Sequence, residues 1–113
     1  MQQFKYLDEA DFAVTVCDLS GVILYMNNKS AATFASDGGF DLIGKSLINC
    51  HPESARSKLL DLLHRPRNNV YTIEKKNAHK MIYQTPWFEN GKAAGLIEIS
   101  LLIPAEIPNF VRK

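Results

Sequence analysis

The sequence predicts an α+β domain, one five-stranded antiparallel sheet with helices laid over one of its faces. Three observations predict it. Two strand-like runs, residues 12–17 and 22–26, flank a tight turn on Gly21. A helical middle follows, from Asn28 to His64. Three more β-rich runs close the chain, the last two joined by Asn90-Gly91, a pair that tolerates the positive φ of a tight hairpin.

Each element has a local reason. Residues 7–10, with Asp8 as a cap, read as a short helix or arm leading into the first strand. Alternation puts Phe12, Val14 and Val16 on one face of that strand. In the second strand it puts Ile23 and Tyr25 on one face and Val22, Leu24 and Met26 on the other. Strands apolar on both faces need both faces covered. Asn27 stops the ladder and caps a helix over 28–35, which Ser36-Asp37-Gly38-Gly39 then breaks. Pro52 suits a first-turn position and opens a helix to about His64. That helix carries Ala55, Leu59, Leu60 and Leu63 at helical spacing, and Arg65-Pro66 ends it. The last strands are expected over 70–75, 80–88 and 93–103, with turns at Lys76-Asn77-Ala78 and Glu89-Asn90-Gly91. Pro86 marks a bulge or a non-bonded position near a strand end.

This order of parts, with Asp18-Leu19-Ser20-Gly21 turning between the first strands and Asp41-Leu42-Ile43-Gly44-Lys45-Ser46 at the centre, resembles a PAS domain. Asn49-Cys50-His51-Pro52-Glu53-Ser54 is similar to a Cys-His-Pro-x-Ser signature of one bacterial PAS branch, sometimes attached to hemerythrin-like domains. The resemblance covers residues 11–104, with 1–10 left as an arm and 105–113 as a proline-punctuated apolar tail. It implies the strand order 2-1-5-4-3 and a pocket between the inner sheet face and the middle helices. It also implies a non-catalytic sensor or signalling module that works through a small ligand, self-association and a signalling partner.

Length and charge narrow the alternatives. At 113 residues there is room for one core, and 46% apolar residues are enough to build it. A net charge of +1, with Lys and Arg scattered, gives no field to hold a phosphate backbone, so no nucleic-acid partner is expected. The apolar stretch at 96–104 is broken by Glu98 and Ser100 and falls short of the roughly 20 residues that span a bilayer. The N-terminus lacks the apolar core of a signal peptide, and two cysteines make no disulfide framework. A cytoplasmic protein with reduced thiols is expected.

The candidate pocket residues are Tyr25, Asn27, Cys50, His51, Tyr83 and Trp87, with no catalytic and no metal-binding residue among them. Cys50 and His51 stand together just ahead of a helix, where a thiol is acidified, so a small thiol enzyme or redox sensor is one alternative function. The simpler expectation is a buried thiol and a His that fixes the loop. Haem ligation by His51 is a second alternative. It departs from the family pattern because His51 precedes the long helix, with Pro52 between. No residue pattern indicates haem or flavin. Asn27 is expected mainly as a cap, and the aromatics mainly as core groups whose polar ends need partners. Glu98 and Ser100, alternating with Ile97, Ile99 and Leu101, are expected to form a solvent-facing stripe. The apolar second face of the sheet, with Phe4, Tyr6 and Leu7 of the arm, is expected to make a homodimer contact.

Overall fold

The computed structural model describes residues 4–113, apart from the side chains of Cys50 and Ser54. One five-stranded antiparallel sheet runs β2-β1-β5-β4-β3, with β1 at Ala13–Asp18, β2 at Ile23–Met26, β3 at Asn69–Lys75, β4 at Ala78–Glu89 and β5 at Lys92–Leu102. The short helices α1 (Lys5–Asp8) and α2 (Asn28–Thr33) precede a 12-residue α3 (Glu53–His64). Three 3-10 turns link α2 to α3, at Ala35–Asp37, Gly39–Leu42 and Ile48–Cys50. The segment around Asp41, which the resemblance makes the family's short central helix, is a 3-10 turn, and the chain reverses at Gly44 with φ of 91°.

Local chemistry explains the boundaries. The turn of the first hairpin is held by the Asp18 carboxylate, which accepts from the Ser20 and Val22 amides at 2.9 and 3.0 Å. Lys76 and Asn77, like Asn90 and Gly91, take positive φ, the mark of tight hairpin turns matched to strand twist. Pro52, expected in the first turn of α3, instead occupies its N-cap with extended backbone. The exposed edge of β2 is covered: Ile23 donates to Lys45, Gly44 donates to Ile23, and Val22 bridges Ser46.

The register divides the side chains between two faces. Cys17, Ile23, Met26 and Leu96 point to the inner face, where they pack with Leu42, Leu47, Leu59 and Leu63 from the helical layer into one core. Val16, Tyr25, Ile97, Ile99 and Tyr83 follow the opposite register and lie on the outer face. Two bulges break simple alternation. At the first, Val16 pairs with Tyr25 and Cys17 with Ile23, so Leu24 is the extra residue. Ile23 and Tyr25, expected on one face, therefore lie on opposite ones. At the second, Trp87 pairs with Gly95 and Phe88 with Ala93, so the bulge falls just beyond Pro86, which is paired with Leu96.

Candidate functional site

On the inner face, between α3 and strands β3 and β4, lies an open cleft of about 360 Å³ lined by His51, Ala55, Lys58, Leu59, Asn69, Tyr71 and Gln84. Its floor is polar. Asn69 Nδ2 donates to Gln84 Oε1 at 2.8 Å, and Gln84 Nε2 donates to Glu98 Oε1 at 2.7 Å. Gln84 and Glu98 are only 3% and 8% exposed, so these groups are in the core and each depends on the next for a partner. Adjacent strands bring the three together, because Asn69 pairs with Gln84 in the β3–β4 ladder and Gln84 with Glu98 in the β4–β5 ladder.

His51 closes one end of this chain. Its Nδ1 lies 2.9 Å from the Leu47 carbonyl, and its Nε2 faces Glu98 Oε1 at 3.8 Å. With Nδ1 protonated and donating to Leu47, the second nitrogen is turned to the carboxylate. Glu98 raises the imidazole above its ordinary range, against the lowering effect of burial, and the Leu47 carbonyl adds to the rise. At 3.8 Å the pair is an ion contact through space and not a well-formed hydrogen bond. Arg56 Nε donates to the His51 carbonyl at 3.1 Å, fixing the loop to the first turn of α3. Tyr71 is pushed upward by burial and then by the Glu98 charge, so its hydroxyl keeps its proton.

The six residues singled out from the sequence are not together. His51 lines the cleft, and the side chain of Cys50, its neighbour, lies outside the described groups. Asn27 is 1% exposed, and its amide is fully engaged. Its Oδ1 accepts from the Val14 and Ser30 amides at 2.9 and 3.0 Å, and its Nδ2 donates to the Leu7 and Phe12 carbonyls at 2.9 and 2.8 Å. Tyr25 is on the outer face, where its hydroxyl donates to Asp8 at 2.6 Å and its ring meets Phe4 with centroids 4.9 Å apart. Tyr83 is also on the outer face, within 3.4 Å of the Asn68 amide. Trp87 lies over Gly95 and donates its indole N–H to the Cys17 carbonyl at 2.9 Å.

Glu98 requires a correction. Expected on a solvent-facing stripe, it points inward, and Ser100 shares its face, because Glu98 pairs with Thr15 and Gln84, whose side chains turn toward the helical layer. The alternation holds, but the set that faces the helical layer is Glu98 and Ser100, and Ile97, Ile99 and Leu101 lie on the outer face. Tyr71, an aromatic expected mainly in the core, lines the cleft, and Asn69, Gln84 and Lys58 join it without having been singled out from the sequence. For Asn69 and Gln84 the signal is a polar residue directly across from another on the neighbouring strand, Asn69 opposite Gln84 and Gln84 opposite Glu98, which becomes legible only once the strands are in register.

The chemistry of the cleft is that of binding. Cys17, the other thiol, is fully buried and pushed up to about 11 by desolvation first, so it is an unreactive core group. Haem ligation by His51 would require its Nε2 to turn from Glu98. Among the described residues no cluster of three or more His, Cys, Asp or Glu is placed to hold a metal, and no helix is long and apolar enough to cross a membrane.

No family model matches the chain, and no curated protein matches its sequence. Solved structures do match its fold. The PAS domain of Bordetella pertussis BvgS is similar over 88% of this chain and 82% of that one, with 22% identity and a TM-score of 0.65. A sensory box sensor histidine kinase from Vibrio cholerae matches over 88% of both chains, with 18% identity and a TM-score of 0.65. A PAS domain of a protein from Colwellia psychrerythraea matches over 90% of this chain and 94% of that one, with 20% identity and a TM-score of 0.63. The sheet order and the helical layer are those of these structures, and the fold of this chain is the PAS fold.

Proposed function

We propose that this chain is a non-catalytic sensor module that takes a small molecule in the cleft under α3 and passes its occupancy to a signalling partner in the bacterial cytoplasm. The working unit is residues 11–104, with 1–10 as an arm and 105–113 as a tail. The observation that carries the reading is the Asn69–Gln84–Glu98 chain. Burying the Glu98 carboxylate and the Gln84 amide in a small core is costly compared with apolar packing, and such a network beside an open cleft has a use in orienting a bound group. Native mass spectrometry of protein purified from cells, together with its ultraviolet–visible spectrum, tests this. A retained small molecule that is lost on Leu59→Phe, which fills the cleft, supports it. Identical masses with and without denaturation, combined with no response of cleft signals to any added compound, would count against it.

A second reading, compatible with the first, is homodimerisation through the outer sheet face. Tyr83 and Val70, paired across β3 and β4, are 37% and 48% exposed, and Ile97, Ile99 and Leu101 beside them are only half-buried. A symmetric partner would cover this patch. The arm contributes Phe4 against Tyr25 and Leu7 through its carbonyl to Asn27, while Tyr6 is 83% exposed. Sedimentation at micromolar concentration should give a dimer that Ile99→Lys converts to a folded monomer.

A further inference from the structure

We propose that the cleft under α3 takes a small monocarboxylate with a flat apolar body, its carboxylate held by Lys58 and by the free amide hydrogens of Gln84 and Asn69. The proposal rests on the reading of the cleft as the ligand site and specifies what it binds.

The direction of the buried chain is set by Glu98. A carboxylate only accepts, so Gln84 must turn its nitrogen to Glu98 and its oxygen to Asn69, and Asn69 must then donate through its own nitrogen. Each amide nitrogen carries two hydrogens and uses one within the chain, so each keeps a second with no acceptor among the described residues, on a side chain that lines the cleft. The oxygen of Gln84 is already occupied by Asn69. Lys58, at the mouth, adds a donor with no accepting capacity. Tyr71, which keeps its proton, adds another. Donors therefore outnumber open acceptors, the Asn69 oxygen being the principal exception, and a ligand rich in acceptors is the complement.

Charge points the same way. His51 faces Glu98 and, when protonated, offsets its charge, whereas Lys58 has no carboxylate within ion-pair distance among the described residues. With His51 protonated the cleft carries one uncompensated positive charge, that of Lys58, suited to a monoanion and hostile to an amine. The remaining lining is Ala55, Leu59 and the ring of Tyr71, an apolar wall opposite a flat one. A volume of about 360 Å³ is near the lower end for ligand sites, which limits the body to a small one.

Three probes with the same ring separate the possibilities: benzoate, benzamide and benzylamine, each titrated into the whole chain while the side-chain amide signals of Asn69 and Gln84 are followed by nitrogen-15 NMR. Benzoate should move both signals and bind at least about tenfold more tightly than benzamide, the margin of a charge-assisted contact, with no binding of benzylamine. Lys58→Met, a change at an exposed position, should bring benzoate down to the level of benzamide with the rest of the spectrum unchanged. Binding of benzamide or benzylamine at these signals as tight as that of benzoate would overturn the carboxylate assignment and leave the ligand cleft standing. If none of the three moves the Asn69 and Gln84 signals, the carboxylate assignment fails, and the cleft reading is left to the native mass measurement that tests it.

Discussion

Trp87 donates its indole N–H to the carbonyl of Cys17, a bond from β4 to β1 that passes over β5 at Gly95. The outer strand of the pair cannot be reached unless the residue beneath the ring has no side chain. A Cβ on Gly95 would collide with the Cys17 carbonyl oxygen, a backbone atom, and with the indole nitrogen itself. Gly95→Ala should therefore destabilise the domain by about 3 kcal/mol, the upper end for overpacking, because neither obstacle can rotate away without losing the bond. Trp87 is the only tryptophan, so its fluorescence reports urea unfolding directly. A loss under about 1 kcal/mol would show that the ring has an alternative seat.

Asn27 joins four backbone groups that no carboxylate can serve together. Asn27→Asp keeps the acceptor for the Val14 and Ser30 amides but turns an oxygen toward the Leu7 and Phe12 carbonyls. The expected loss is about 2 kcal/mol or more at neutral pH, with faster amide exchange in α1 and partial recovery in acid as the new carboxyl gains a proton. A variant as stable as the parent at pH 7 would remove Asn27 from this role.

The His51–Glu98 contact gives stability a dependence on pH. The folded imidazole is raised by Glu98, so the stabilisation is complete below the unfolded value of about 6.5 and is lost as pH rises through the folded value above it. Denaturant midpoints should fall over that alkaline window, and His51→Gln should flatten the slope there. The imidazole signals of His51 in a titration followed by NMR give the same information independently. A midpoint below that of a free histidine would reverse the sign.

Leu59 is 1% exposed and joins α3 to Leu96 and Cys17 across the inner face. Leu59→Ala should cost about 2–5 kcal/mol as a cavity-forming change, a large share of a small domain's stability. Leu60, one position on and 45% exposed, is the control, and Leu60→Ala should stay within about half a kilocalorie. Equal effects at the two positions would mean that the buried stripe of α3 is wrongly phased.

Much of this architecture follows from local chemistry that one chain displays openly. The turn at Asp18 to Gly21, the Asn27 cap, the apolar stripe of Leu59 and Leu63 and the Asn90-Gly91 hairpin each depend on residues close in sequence, so the order and kind of the elements were readable. The strand order came with the resemblance and is confirmed by the sheet.

What tertiary structure alone decided is which side of each strand is inside. Alternation has a period of two but no sign, and a single extra residue reverses it, as Leu24 does between Ile23 and Tyr25. For that reason Tyr25, Tyr83 and Trp87 lie on the outer face, while Glu98, expected in solvent, forms the buried end of a polar chain with Gln84 and Asn69. Those three residues lie on three strands, and Asn69 and Glu98 are far apart in sequence. Only the pairing of β3, β4 and β5 brings their side chains within hydrogen-bonding distance, so the polar floor of the cleft is a property of the register and not of any one segment.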